Sequence, residues 1–447
     1  MVWHECFVSA MLEIAHLGEE LIKDCHSLSL VVIGVNNRTM PLELFERFVI
    51  SEDAIPKALA DVHARRNISE ALVLSTCNRT EVYVYAEKFH GAYQDVRDFL
   101  AETAGLAPEE FNDYLYAHYE DEAIQHLFSV TCGLDSAIVG ENEVVHQIKI
   151  AWELAREEDS CGPVVNSAFR RALEVGKKVR TETSISKNTL AIGQACIEMA
   201  KRHLDDFKNQ EILVVGAGEI GEGIAKALSE LQAEHIYFAN RNFDRAEELA
   251  DLVNGQSIPF EEIEKTLERV DVLISSTAAS SVVLSQSQLI KIMNIRNGRK
   301  LLIVDIAVPR DVDPAVAQIE NVTLLDIDAL WSFHSQTSLT GKEAEIGKAK
   351  TIIIEEISRF LEQQSARKVA PLISEFREGA EEIRQIELKR FEARLAGFTD
   401  EQRDIIEALT QGILGKILHD PTISLNEAAG SPRGERLADA LRELFNL

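Results

Sequence analysis

The spacing of apolar residues changes its rhythm several times along this chain, and each change predicts a different kind of element. LSLVVIGVN, residues 28–36, is apolar almost throughout and reads as a strand. PLELFERFVI follows it as a short helix opened by Pro41, since the first helical turn tolerates proline. EALVLST and EVYVYAE predict two further strands; in the second, Val82 and Val84 alternate with Tyr83 and Tyr85, the period of a strand with one face covered. A helical stripe then runs from DEAIQHLFSVTCGL through VVHQIKIAWELAREE. Residues 28–165 are therefore expected to form an α+β unit, and 166–207 a helical linker.

The next rhythm is that of a nucleotide-binding domain. QEILVVGAGEIGEGIAKALSELQAEHIYFANRNFDRAEELADLV alternates strand, glycine turn, helix, strand and helix, a βαβ unit. VDVLISSTA and KLLIVDIAVP are continuously apolar, as parallel strands covered on both faces are. A doubly wound, Rossmann-like domain is expected over 208–312. From 313 to 447 only helical stripes remain: Ile346, Ile353, Ile357, Phe360 and Leu361, then Phe376, Ala380, Ile383 and Phe391, then Ile405, Ile406, Leu409, Ile413, Leu414 and Ile417. Pro371 is expected to end or kink the first long helix. Helices this long cannot bury their stripes by folding back on so little chain, so 313–447 is expected to be a long helix and an all-α region whose stripes a subunit partner would cover. The fold class expected is multidomain α/β.

Composition narrows the function classes. The chain has 447 residues, enough for two to four domains, and its 46% apolar and 27% charged content is that of an ordered globular protein. Its longest apolar run, LLIVDIAVP, is too short to span a bilayer, and no basic residue precedes Lys23, so neither a membrane span nor a secretory signal is expected and the reading is cytoplasmic. A net charge of −28 argues against general nucleic-acid binding. From Asn166 to Leu204, however, eight basic residues stand against three acidic ones, leaving a local face that either meets a polyanion or is simply solvated. The six cysteines form no CxxC pair, which excludes zinc knuckles and disulfide scaffolds. His4 with Cys6 and Cys25 with His26 read as incidental neighbours in an extension, 1–27, of unknown role; no metal is assigned.

Two motifs carry chemistry. Gly216, Ala217, Gly218, Glu219, Ile220 and Gly221 spell GxGxxG between a strand and a helix, the context in which it binds a dinucleotide pyrophosphate at a helix amino end. The second strand of that unit ends in Asn240 and Arg241 rather than a carboxylate. An arginine there pairs with a ribose 2′-phosphate, so the cofactor expected is NADPH. Cys77 lies between two strands among Thr76, Asn78, Arg79 and Thr80, polar neighbours that offer a thiol no apolar packing. It is the candidate nucleophile, with Arg79 to stabilise a thiolate or to bind a substrate carboxylate. Cysteine and nicotinamide together imply an acyl group captured as a thioester and reduced by hydride.

GVNNRTMPLELFERF, STCNRTEVY, HLFSVTCGLDSAIVGENEV, FRRALEVGKKVRTET and VVGAGEIG, in this order, resemble the glutamyl-tRNA reductase family from Leu28 to the carboxyl end. The resemblance implies a catalytic domain, an NADPH domain and a long spinal helix leading into an all-α dimerisation domain, in a homodimer that takes glutamyl-tRNA(Glu) and NADPH and yields glutamate-1-semialdehyde, the opening of tetrapyrrole synthesis, with an aminomutase as candidate recipient of the product. It implies Cys77 as nucleophile, His126 as a second catalytic residue handling the departing tRNA hydroxyl, and a substrate pocket of Thr76, Asn78, Arg79, Ser136, Glu141, Asn142, Glu143 and Gln147. The chain departs from the family at Asn142 and Glu143, where the usual motif reads Pro-Gln, and at Asn37, Arg38 and Met40, where it reads His, Lys and Ala. Other cysteine acyl reductases with an amino-terminal Rossmann domain place the nucleophile after the glycine turn, the reverse of the order here. A noncatalytic NADP- or tRNA-binding regulator is disfavoured by the intact Cys77, Arg79 and glycine turn.

Overall fold

The computed structural model describes residues 29–86, 89–136, 138–186, 192–204, 207–277, 279, 281–338 and 343–447, with the backbone alone at 334–338, 368 and 432. The expected extension over 1–27, with its His and Cys pairs, lies outside the described residues. The chain divides into two compact units, residues 1–353 and 354–447.

The first unit opens with a four-stranded antiparallel sheet in the order β2-β3-β1-β4, where β1 is Ser29–Asn36, β2 Ile68–Ser75, β3 Arg79–Ala86 and β4 Tyr116–Tyr119. β3 was expected to have one face open; instead Arg79 to Val84 are all buried. It is an inner strand, and the helix Pro163–Glu182 covers its tyrosine face, with Tyr83 edge-on to Phe169 at 5.0 Å. β4, only four residues and half-buried, carries too short a pattern to be read in advance. The segment after Pro41 is helical only over Leu42–Phe45, then tightens into a 3₁₀ turn, Glu46–Phe48. The long stripe resolves into helices Asp121–Thr131 and Glu143–Glu157, separated by the loop 132–142.

Within the same unit lies a six-stranded parallel sheet, ordered β10-β9-β8-β5-β6-β7: β5 Glu211–Val215, β6 His235–Ala239, β7 Gln256–Ile258, β8 Val272–Ser275, β9 Leu301–Asp305 and β10 Val322–Asp326. β5, β8 and β9 are buried on both faces, each between two apolar clusters, which is why they read as unbroken apolar runs. The sheet does not stop at 312 as expected. β10 adds a sixth, edge strand, whose half-exposed residues dilute its apolar signal.

The second unit is helical. The 48-residue helix Glu343–Arg390 passes through Pro371 without ending. Leu372, Leu425 and Ala438 form its small core, and Phe376 meets Phe445 edge-on at 4.6 Å. No described helix is long and apolar enough to cross a membrane.

Candidate active site

The hairpin between β2 and β3 is built by its own hydroxyls and amides. Ser75 pairs with Thr80 in the ladder, leaving Thr76 to Arg79 as the turn, closed by Thr76 N–H donating to the Arg79 carbonyl at 2.8 Å. The Thr76 hydroxyl oxygen accepts from the amides of Asn78 and Arg79, both at 3.1 Å, a side-chain turn that orders the backbone around Cys77. Asn37 brackets the turn from β1: its Nδ2 donates to the Cys77 carbonyl and to Asn78 Oδ1, each at 3.1 Å. One amide nitrogen with two hydrogens thus ties the Cys77 carbonyl and the Asn78 side chain together.

Cys77 itself is half-buried rather than exposed, and its thiol is pushed up well above the ordinary range, first by burial and then by the charges of Glu141 and Glu143. Its own amide N–H and Arg79 pull the other way and are the weakest of these influences. Polar neighbours in sequence had pointed to an exposed thiol with Arg79 beside it to stabilise a thiolate; the folded chain instead places two carboxyls near enough to oppose its ionisation.

Arg79 differs from expectation as well. At 3% exposure it is a core residue. Its Nη1 donates to Glu81 Oε1 at 2.8 Å and to Asp135 Oδ2 at 3.0 Å, and its Nη2 to the Asp135 carbonyl. Glu81, fully buried, also accepts from Tyr116 (2.6 Å), Tyr83 (2.7 Å) and His126 Nε2 (2.7 Å). Burial alone would raise the Glu81 carboxyl; His126 and Arg79 outweigh it and hold it far below the carboxylate range. An ionised carboxylate only accepts, so His126 carries its proton on Nε2 and turns it to Glu81. His126 therefore supports the floor of the hairpin through Glu81. Glu81, Asp135 and Tyr116 were not singled out from the sequence, and the visible signal was only a charged residue inside an apolar strand.

The loop 132–142 forms the facing wall. Arg38 spans it with a fork, Nη1 to Asp135 Oδ1 at 2.9 Å and Nη2 to the Ser136 carbonyl at 2.6 Å, two acceptors that an ammonium would not reach in that geometry. Ser136 is buried, and Glu141 is only 6% exposed with its Oε2 lacking a hydrogen-bond partner. Burial pushes Glu141 up to about 7 against the opposing pull of Ser136, Arg79 and Arg38. Glu143, in the first turn of its helix, is pushed up to about 8 by burial, by Glu141 and by Glu219. Asn142, the helix N-cap, is exposed and makes no capping bond, while Gln147 is half-buried on the next turn. Thr76, Asn78 and Arg79 thus share the Cys77 turn, Glu141 and Glu143 act on its thiol electrostatically, Ser136 bonds to Glu141, and Asn142 is exposed at the helix cap.

The same loop ties this wall to the cofactor domain. Ile138, fully buried, belongs to the apolar cluster that holds Ile224, Ala225 and Leu228 of the helix Glu219–Glu230. That helix follows the glycine turn. Gly216 has φ +111°, and a Cβ on it would stand 2.6 Å from the Ser276 carbonyl oxygen. A Cβ on Gly221 would meet the Gly216 carbonyl oxygen at 2.4 Å, whereas one on Gly218 would meet nothing within 4 Å. Gly216 and Gly221 are thus required by packing, and Gly218 borders open space at a helix amino end, which fits a dinucleotide pyrophosphate. Asn240 is half-buried just past β6, donating Nδ2 to the Asn242 carbonyl at 3.0 Å. Arg241 beside it is exposed and makes no ion pair among the described residues. The basic stretch from Asn166 to Leu204 is thinner than its count: Arg171 pairs with Glu174, Lys201 with Glu198, Arg202 lies over Phe333, and Arg180 is partly buried against the Thr131 carbonyl.

A family model described as the N-terminal domain of glutamyl-tRNA(Glu) reductase matches residues 33–183, one described as shikimate/quinate 5-dehydrogenase matches 198–333, and one described as the glutamyl-tRNA(Glu) reductase dimerisation domain matches 348–447. The glutamyl-tRNA reductase of Brevibacillus brevis is 36% identical over 421 residues, 94% of this chain and 92% of that one. That of Carboxydothermus hydrogenoformans is 37% identical over 418 residues, 94% and 93% of the two chains. The solved glutamyl-tRNA reductase of Methanopyrus kandleri is 31% identical, covering 94% of this chain and 99% of that one, with a TM-score of 0.48.

Proposed function

Because the chain belongs to the glutamyl-tRNA reductase family, we propose that it reduces the glutamyl ester of glutamyl-tRNA(Glu) to glutamate-1-semialdehyde with NADPH, through a thioester on Cys77. One observation carries this reading beyond the family. The loop that carries Glu141, whose charge acts on the Cys77 thiol, contributes Ile138 to the same apolar cluster as Ile224, Ala225 and Leu228 of the helix that opens from the glycine turn, which supports a nucleophile and a cofactor site working within one unit.

In this mechanism the Cys77 proton passes to the carboxylate of Glu141, whose Oε2 has no other partner. The thiolate forms a C–S bond to the ester carbonyl carbon, the C–O bond to the tRNA ribose breaks, and the ribose oxygen takes the proton from Glu141. His126, turned to Glu81, positions Arg79 and leaves that transfer to Glu141. Gly218 and the amides of its helix hold the pyrophosphate, and Arg241 the 2′-phosphate. Held there, NADPH would supply hydride to the thioester carbonyl; Cys77 would depart as thiolate, releasing the aldehyde, and would regain a proton from solvent. The reading places the protein in the cytoplasm as a homodimer at the start of tetrapyrrole synthesis from glutamate, with glutamate-1-semialdehyde aminomutase as the partner that takes up the product.

The test is incubation with glutamyl-tRNA and NADPH, set beside Cys77→Ser. Aldehyde forms with the native chain alone, and mass spectrometry of samples quenched without NADPH finds a glutamyl adduct on the Cys77 peptide. Aldehyde production by Cys77→Ser would sink the thioester route.

A further inference from the structure

Hydride transfer demands that two separately folded layers, the antiparallel sheet carrying Cys77 and the parallel sheet carrying the glycine turn, be held in register. Among the described residues an ion pair joins them directly. Arg310 donates Nε to Glu46 Oε1 and Nη2 to Glu46 Oε2, both at 2.9 Å, and its backbone N–H to Oε1 at 2.7 Å. Both side chains are largely buried, at 16% and 14% exposure, so the pair is geometrically fixed and shielded from salt.

Each end of this clamp is anchored rigidly to a reacting element. On the cofactor side, Arg310 sits in the loop that leaves β9. Asp305 accepts from the amides of Ala307 (3.1 Å) and Val312 (2.8 Å), closing that loop on itself. Asp311, next to Arg310 and fully buried, accepts from the Ser275 hydroxyl (2.6 Å) and the Thr277 amide (2.9 Å), flanking Ser276, whose carbonyl abuts Gly216. On the nucleophile side, Glu46 opens the turn Glu46–Phe48. The Phe48 carbonyl accepts from Thr80 Oγ1 at 3.0 Å, Thr80 lies 3.1 Å from Ser75 Oγ, and Ser75 Oγ accepts from the Ile50 amide at 2.9 Å. Ser75 and Thr80 are the last ladder pair before the Cys77 turn. Hydrogen bonds and the short stretches of backbone between them thus run from beside the glycine turn to the hairpin, and Glu46–Arg310 is their link between the two sheets.

We infer that Glu46 and Arg310 are positioning residues for the second half-reaction: they register the Cys77 thioester against the nicotinamide, and acyl capture does not depend on them. The inference rests on the thioester reading above. It predicts a split between two measurements. In Glu46→Gln and in Arg310→Gln, single-turnover glutamylation of Cys77 without NADPH stays within about twofold of native, because the hairpin and the Glu141 wall are intact. Aldehyde formation from the preformed thioester falls on the order of 10²-fold, the loss expected from a misplacement of about 1 Å, and hydrolysis to free glutamate rises in its place. The exchanged pair, Glu46→Arg with Arg310→Glu, recovers at least part of the hydride step if the contact itself matters. Equal losses in both half-reactions, or an unchanged partition between aldehyde and free glutamate, would overturn the inference. Absence of any Cys77 adduct in the native chain would remove the thioester reading, and the positioning role with it.

Discussion

In the proposed route Cys77 has to lose a proton, yet burial and two carboxyls oppose it. Such a thiol is quiet towards bulk electrophiles and becomes reactive only when the substrate is present and a base takes its proton in place. Two predictions belong to these residues. Alkylation of Cys77 by iodoacetamide at about pH 9, where Glu143 is ionised, is slow in the native chain and severalfold faster in Glu143→Gln, which removes one repelling charge; Glu141→Gln also speeds alkylation but slows glutamylation by about 10²-fold, since it removes the base. Were glutamylation to rise together with alkylation in Glu141→Gln, its carboxyl would be only an inhibitory charge. At Arg241, replacement by alanine raises KM for NADPH at least tenfold and leaves that for NADH near native; equal changes would remove the 2′-phosphate assignment. Glu141 also sets a pH dependence. Its folded value, about 7, lies above the ordinary 4.5, so the folded chain holds a proton that the unfolded chain has released. Its contribution to stability is therefore complete below the unfolded value and is lost as pH rises towards 7, by at most ~3 kcal/mol. Glu141→Gln should flatten the fall in Tm between pH 5 and 8 relative to native, and an unaltered slope would contradict the buried, protonated carboxyl.

At the level of elements, the glycine turn separates packing from binding. Gly221→Ala drives a methyl group into the Gly216 carbonyl at 2.4 Å and should lower Tm by several degrees. Gly218→Ala meets open space. It should keep the native Tm and raise KM for the cofactor, because the added methyl occupies the approach of the pyrophosphate. A Tm loss in Gly218→Ala as large as in Gly221→Ala would erase that distinction. The turn, its strand and its helix were legible in the sequence because every requirement is local: a tight bend, an apolar strand before it, a helical stripe after it. The Cys77 hairpin was legible for the same reason, since EALVLST and EVYVYAE bracket a polar turn. The Glu81–Arg79–Asp135 network was not, because its members come from β3 and from a loop 56 residues away in sequence, and nothing local marks which charges will be buried together.

Across the whole molecule, the helical second unit leaves an apolar stripe uncovered. Ile405, Leu409, Ile413 and Ile417 on the helix Asp400–Ala428 are 61%, 61%, 53% and 63% exposed, and Ile383 and Ile386 are 62% and 57% exposed. Residues four apart on one helical face form a continuous seam, which a second subunit would cover. Leu409→Glu with Ile413→Glu should convert the protein to monomers in light scattering at micromolar concentration while the first unit retains dinucleotide binding; a dimer that survives both charges would place the interface elsewhere. With 74 acidic against 46 basic residues, association with tRNA should weaken only shallowly with salt, because few basic side chains are left to neutralise phosphates; a steep salt slope would mean many phosphate contacts.

The order of elements, the parallel sheet, the glycine turn and the helical carboxyl end followed from local periodicity and short motifs, since the chain's own neighbours decide them. The ionisation of Cys77, the commitment of Arg79 and His126 to Glu81, and the clamp between Glu46 and Arg310 arose only on folding. These properties depend on which distant charges share a low-dielectric interior, and burial strengthens each such pairing in a way that residue order does not encode.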